Sequence, residues 1–388
     1  MEAPLPSRRG GTEPPSVVMG WGERAERFAQ RVVLPAVPDL EKDGGMPRSV
    51  LEGLAKEGFL GLTLPREYGG SEVDGRTFVE VLRPLARASL AVATLVAVHH
   101  SVAAAPIQEH GSPAQKERYL PAMAKGEILG AFALTEPSVG SDAQRLTTRY
   151  SRVPAGFRLK GSKMFITNGA SAGVVVAFAT HDPSLASRGV SAFLVPQGTP
   201  GFSTAQKLDK LGLWGSETVE LVFEDCELPD GALLGEEGRG FTIAMEALEG
   251  GRIGIAACSL GVAEAALEAT REGLPDEPEP WQASLLARSF VEVEAARALV
   301  ERAAAKRDAG EPFATEASAA KLYASQVAFR VASRGIDAVG RGAVDRAGAN
   351  PLERLFRDAR VLTIVEGTTE IQERILARAL LAARPGRG

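Results

Sequence analysis

The sequence predicts an α+β protein: an N-terminal helical domain over residues 21–128, a middle antiparallel β domain over 129–236 and a C-terminal four-helix bundle over 237–388. Three observations carry this. Apolar residues recur with helical spacing from Glu23 to His110, the texture changes at Gly130 to short apolar runs rich in Gly and Pro, and the helical period returns after Phe241. Residues 1–20, rich in Pro, Gly, Ser and charge without an apolar core, predict a disordered extension rather than a signal peptide.

Taken in order, Glu23 to Val33 reads as a helix that Pro35 and Pro38 break before a second one, Arg48 to Glu57. Phe59 to Gly70 is a connector. Helices resume over Phe78 to Ser89 and Ala91 to His110, the latter so apolar that burial on all sides is expected. Pro121 closes the helical part. Strands are expected at Gly130 to Leu134, Gly156 to Ser162, Gly173 to Thr180, Val190 to Val195 and Val219 to Glu224. The bundle then takes Phe241 to Leu248, Arg252 to Arg271, Gln282 to Arg307, Ala314 to Arg334 and a closing pair around Glu366.

With 388 residues, 45% of them hydrophobic, the chain can bury a large core without disulfides or metal. Its 44 basic and 49 acidic residues are well mixed and leave a net charge of -5, so there is no basic field for nucleic acid. Cys226 and Cys258 are far apart and indicate neither a disulfide framework nor a metal site; the expected compartment is the cytoplasm. No run approaches the roughly 20 apolar residues of a membrane span.

Four stretches can carry chemistry. Glu366 stands between the apolar run Val361 to Val365 and a Gly-Thr-Thr turn, with a new helical pattern beyond. Such a break leaves backbone donors free and lets Gly367 bring the main chain near a ligand, while apolar flanks desolvate the acid and make it a better base. In Phe132 to Asp142 a strand ends in a hydroxyl-bearing loop suited to a polar heteroaromatic edge or a phosphate. In Lys163-Met-Phe-Ile-Thr-Asn-Gly169, Phe165 and Thr167 would point the same way on a strand. Glu249-Gly-Gly-Arg252 opens a helix of small residues. His99 and His100 are adjacent, face different sides of a helix and are expected to be structural.

The string Glu366-Gly-Thr-Thr-Glu-Ile-Gln372 resembles the catalytic-base segment of acyl-CoA dehydrogenases, and the resemblance runs from about Trp21 to Leu381. Thr135-Glu-Pro-Ser-Val-Gly-Ser-Asp142, Phe165-Ile-Thr-Asn-Gly169 and Gly250-Gly-Arg-Ile-Gly-Ile-Ala-Ala257 are similar to that family's other motifs, in the form of its short-chain and branched short-chain members. The resemblance implies FAD-dependent α,β-dehydrogenation of a short-chain acyl-CoA to the 2-enoyl-CoA, with Glu366 taking the α proton and flavin N5 the β hydrogen. It implies that Phe132, Leu134, Thr135, Gly140, Ser141, Phe165, Thr167, Thr368 and Glu370 contact the cofactor, and that Ser141, Glu249, Arg252 and Gly367 contact the substrate. An electron-transfer flavoprotein as partner and a homodimer or homotetramer follow by the same analogy. Two alternatives stay open: the same reaction on a carrier-protein thioester, and a flavin-poor partner subunit.

The chain departs from the family's pattern at the adenylate end. Arg271 to Gln282 lacks the usual Arg-x-Gln-Phe-Gly motif and is acidic, and Asp337-Ala-Val-Gly-Arg-Gly342 replaces a Gln and a Gly. Arg341 is the candidate for the missing positive charge. Trp214 stands where Arg is usual, Val365 where Tyr is usual, and Gly251 where isovaleryl-type members carry their base.

Overall fold

A computed structural model of the protein describes residues 19–43, 45–345 and 350–382, so nearly all of the expected extension and the last six residues lie outside it. The chain opens with α1 (Trp21–Phe28), a π-helical turn (Ala29–Val33) and α2 (Leu34–Asp43) in unbroken succession. Pro35 and Pro38 therefore do not break the helix. The wide turn, closed by Leu34 N–H to the Ala29 carbonyl, makes room for rings that an ordinary α turn would clash with. After α3 (Arg48–Lys56) come α4 (Gly75–Ala88), α5 (Leu90–Val98), a second π turn (His99–Ala104) and α6 (Ala105–His110). A helix not expected from the sequence, α7 (Pro113–Ala124), is opened by a reciprocal cap between Ser112 and Gln115; Pro121 sits inside its last turns.

The middle region is an eight-stranded sheet: β1 (Leu129–Ala133), β2 (Arg149–Val153), β3 (Gly156–Thr167), β4 (Ala172–Thr180), β5 (Val190–Pro196), β6 (Phe202–Lys207), β7 (Thr218–Pro229) and β8 (Leu233–Leu234). Its order is β6-β7-β3-β2-β4-β5-β8, with β1 added beside β4. Most pairs are antiparallel as expected, but β1 runs parallel to β4 and β2 touches β4 in the same sense. The long excursion through β2 and β3 between β1 and β4 permits this, since parallel neighbours need a crossover.

Four long segments close the chain: α8 (Gly240–Gly273), α9 (Pro280–Asp308), α10 (Ala314–Val339), and the pair α11 (Leu352–Leu362) and α12 (Thr369–Ala382). The two helices expected either side of Glu249 are one, and Arg252 lies inside α8 rather than at its start. Glycine in a helix costs about 1 kcal/mol relative to alanine. Here close packing offsets that cost: a side chain at Gly261 would strike α4 backbone at Arg83.

The amino-terminal and carboxy-terminal helices share a single core, in which Val81, Leu82 and Leu85 of α4 meet Ile253, Ala257 and Leu260 of α8. The α5–α6 stretch (Leu90–His110) and α8 are long and apolar enough to cross a membrane, contrary to the reading of composition, but 94% and 83% of their apolar windows are buried within the protein. They are core helices.

Candidate active site

Glu366 occupies the break expected for it, after α11 and before α12. Its backbone is left-handed, with φ +51, and Gly367 follows at φ +98. Such a conformation costs a non-glycine residue about 1 kcal/mol or more and persists only where surroundings hold it. Two side chains do so. Gln372 Nε2 donates to the carbonyls of Glu366 at 3.2 Å and Gly367 at 3.0 Å, and Lys321 Nζ donates to the Gly367 carbonyl at 2.7 Å. At φ +98 any L side chain at position 367 is strained, and a Cβ there would also press on Gln372 Nε2 at 2.6 Å, so the position favours glycine.

Glu366 is half-buried as a whole, but both carboxylate oxygens are buried and accept no hydrogen bond. They lie against Gly251 of α8, whose missing Cβ leaves the space they fill. Burial pushes this carboxyl up from 4.5 to about 7, against the pull of Lys321 and Arg252. Arg252 is buried too, with Nε unpartnered, and feels the charges of Glu249 and Glu366. Glu249, Arg252, Glu366 and Gly367 are thus brought together.

The second group converges on β1 and β3. Phe132 is half-buried and meets Phe178 edge-on at 4.9 Å, Leu134 is buried, and the Thr135 carbonyl accepts Met164 N–H at 2.9 Å. Behind this loop lies a buried ion pair missed in the sequence: Lys163 Nζ to Glu136 Oε1 at 2.8 Å. Gly140 and Ser141 are exposed further along.

Phe165 and Thr167 are not on a regular strand. An extra residue between Lys163 and Ile166 bulges β3, and Phe165 is left-handed at φ +62. Both flank buried Ile166, and Phe165 is 66% exposed. An aromatic held outward by a strained turn, with Thr167 two residues on and the Thr135 backbone bonded to its neighbour Met164, suits a flat heteroaromatic ring with polar edges.

Thr368 and Glu370 lie at the start of α12, where the Thr368 hydroxyl holds the Glu370 carboxyl below its ordinary range. Arg341 is separate from both groups. It is exposed in the turn after α10 (Gly340–Ala343), twenty residues along the chain from Lys321, roughly 30 Å at 1.5 Å per residue. Trp214 caps the other side of the Arg357 segment: the Arg357 guanidinium lies 4.3 Å above its ring, and Leu213 N–H donates to buried Asp358 at 2.6 Å.

His99 and His100 are structural. His99 Nε2 meets the Leu60 carbonyl and its Nδ1 accepts Gly130 N–H; His100 Nε2 meets the Phe59 carbonyl and its Nδ1 the Thr63 hydroxyl. Burial pushes the rings down to about 4 and about 3, so both stay neutral. Lys321 was the residue sequence reasoning missed. The signal was there: it stands on the alanine face of α10 formed by Ala317, Ala320, Ala324 and Ala328, where a charge is out of place.

A dry carboxylate without a hydrogen-bond partner at a helix break suits a base that takes a proton from carbon, and an aromatic turned outward at a bulge suits a flat cofactor ring, the two parts of a flavin-dependent oxidoreductase. Residues 21–127, 131–226 and 238–381 match the N-terminal, middle and C-terminal domains of acyl-CoA dehydrogenase. An acyl-CoA dehydrogenase of Bacillus subtilis is 42% identical over 91% of this chain and 95% of its own. A short-chain specific acyl-CoA dehydrogenase of Megasphaera elsdenii is 38% identical over 92% and 96%. The solved structure of butyryl-CoA dehydrogenase from that organism superposes with a TM-score of 0.88 at 38% identity, covering 93% of this chain and 97% of the other. The chain belongs to the acyl-CoA dehydrogenase family.

Proposed function

We propose that this chain dehydrogenates short-chain acyl-CoA thioesters between the α and β carbons, with Glu366 as the base that takes the α proton. FAD, when bound, supplies the acceptor for the β hydrogen, and Phe132, Leu134, Thr135, Gly140, Ser141, Phe165, Thr167, Thr368 and Glu370 are the residues that would hold it. The observation that carries the reading is the Glu366 carboxylate: buried, without a hydrogen-bond partner and pushed up to about 7.

An α proton is weakly acidic, so the thioester oxygen needs a donor as negative charge develops there. The Glu366 N–H makes no hydrogen bond among the described residues and is the donor we assign. Glu249, Arg252, Ser141 and Gly367 orient the thioester, with Arg252 also favouring ionised Glu366. Two findings support a short acyl group: the relatives named for short-chain or butyryl substrates, and the compact cluster of Val98, Val102 and Ala247 with Phe132 and Leu248 just before Glu249.

An electron-transfer flavoprotein would reoxidise the cofactor, and a homodimer or homotetramer would cover the apolar Trp281, Phe290, Val291, Leu380 and Leu381, all exposed on the closing helices. The test is flavin bleaching by butyryl-CoA. Wild type is expected to bleach and Glu366→Gln to bind FAD without bleaching; turnover retained in the variant would overturn the base assignment.

A further inference from the structure

We infer that Lys321 is a positioning residue for the base: it ties the Gly367 carbonyl to α10 and sets a cation beside the Glu366 carboxylate. This rests on the reading of Glu366 as the base.

Lys321 is 0% exposed, and its ammonium makes a single hydrogen bond among those described, to the Gly367 carbonyl. An ammonium has three protons to place, and one neutral carbonyl does not balance its charge. One residue away, Glu366 presents two buried oxygens with no donor. These two incompletely satisfied groups have opposite sign and share one turn, and each acts on the other electrostatically. A lysine present only for packing would not occupy a seam of fully buried alanines.

The ionisable groups that act on this pair are Arg252, Glu249 and the buried Cys258 thiol from α8, Glu370 from α12 and Glu366 from the turn; burial and Glu366 push the thiol up, so it stays neutral. Arg252 opposes protonation of Lys321, and the carboxylates favour it. Burial, partly countered by Glu366, brings Lys321 down from 10.5 to about 8, so at neutral pH it still carries its charge. A carboxylate without water around it depends on that charge to give up its proton. The carbonyl bond has a second role, since it fixes the left-handed turn that aims Glu366 across to Gly251.

The test is the pH dependence of kcat and kcat/KM for butyryl-CoA in the FAD-loaded enzyme, with thermal midpoint and FAD content measured for each variant. Lys321→Met removes donor and charge. Lys321→Gln keeps an N–H donor for Gly367 but no charge. Both are expected to move the acid limb upward by about one pH unit and lower kcat at pH 7 roughly fivefold, with KM changed less than about twofold. Lys321→Arg is expected to restore the limb to within about half a unit.

If Lys321→Met does not fold, Lys321→Gln alone decides. A folded, flavin-loaded Lys321→Gln enzyme with the wild-type acid limb overturns the inference. Its failure is separable from failure of the base assignment, which is read from Glu366→Gln: an inactive Glu366→Gln with an unshifted Lys321→Gln defeats the role of Lys321 alone.

Discussion

Gly251 and Glu366 face each other across the gap between α8 and the α11–α12 turn: a Cβ on residue 251 would fall within overlap distance of the Glu366 carboxylate. The atoms it would meet are the tip of a flexible side chain rather than backbone, so Gly251→Ala is expected to displace the base instead of unfolding the helix. Alanine within a helix gains up to about 1 kcal/mol over glycine, which offsets the crowding. Activity and stability should therefore separate. Expected is a fall in kcat on the order of tenfold or more, with thermal midpoint and FAD content close to wild type. A midpoint collapse in step with activity would show that the contact is structural instead.

The pH dependence of activity and of stability should share one origin. The folded protein holds the Glu366 proton up to about pH 7, the unfolded chain only to about 4.5. As a base the group works ionised, so kcat/KM is expected to rise with pH up to about 7 and then level off. For stability the sign is opposite. The folded state binds this proton more tightly, so its contribution is full below 4.5 and is lost as pH rises through about 7. Glu366→Gln removes that loss. In the flavin-free protein the variant's stability relative to wild type should grow between pH 5 and 8, by at most about 3 kcal/mol at 1.36 kcal/mol per pH unit. Parallel stability curves would show that the carboxylate is solvated.

Lys163 and Glu136 form a pair with side chains 0% and 1% exposed. Burial works against ionisation of Glu136, but Lys163 and hydrogen bonds from Thr147 and Thr148 outweigh it and hold the carboxyl at about 2. Lys163 also donates to the Leu134 carbonyl, so the pair pins the loop that presents Thr135 and Ser141. Lys163→Met leaves Glu136 buried without its cation and is expected to cost about 3 kcal/mol in denaturant unfolding, with weakened FAD retention. Adding Glu136→Gln should recover part of the loss, because the orphaned charge is then gone. If the double variant is as unstable as the sum of the two singles, the two residues act independently.

What the sequence revealed and what it concealed divide along the range of the interactions. Helical period exposed α5, α8 and α10 because one or more of their faces are apolar through the whole length. Strands with buried runs, such as Val174 to Thr180, were equally visible, whereas β6, with Ser203 to Lys207 all exposed, carries no alternation and was missed. The prolines at 35 and 38 misled because a π turn absorbs them, which no local rule anticipates. At the site, Glu366 and its string were legible, since the turn chemistry lies within seven residues. Lys321 was not: it reaches Gly367 across 46 positions of sequence, and only packing of α10 against the turn brings them together. The bulge that turns Phe165 outward was hidden for the same reason, because it is defined by register against β7.

Arg341 is the residue proposed to supply positive charge to the adenylate half of the cofactor. It is exposed in the turn after α10, at the opposite end of that helix from Lys321, so it cannot serve the base and the ring together. The segment before α9 is mostly acidic: Arg271 lies 3.8 Å from Glu268, Asp276, Glu277 and Glu279 are exposed carboxylates that would repel a diphosphate, and Gln282 spends its amide on the Ala338 carbonyl at 2.8 Å. Arg341 is an exposed cation in the turn just after Ala338, the residue that Gln282 of α9 bonds, and the role we propose for it is charge rather than shape. Arg341→Ala is expected to raise the Kd for FAD about tenfold, the loss of roughly one charge-assisted hydrogen bond, without moving the acid limb of the pH profile. Arg341→Lys should recover most of the affinity at low salt, and raising the ionic strength should narrow the difference between wild type and Arg341→Ala. Gel filtration followed by the flavin absorbance of the protein peak measures all three, and equal retention in wild type and Arg341→Ala would rule the residue out.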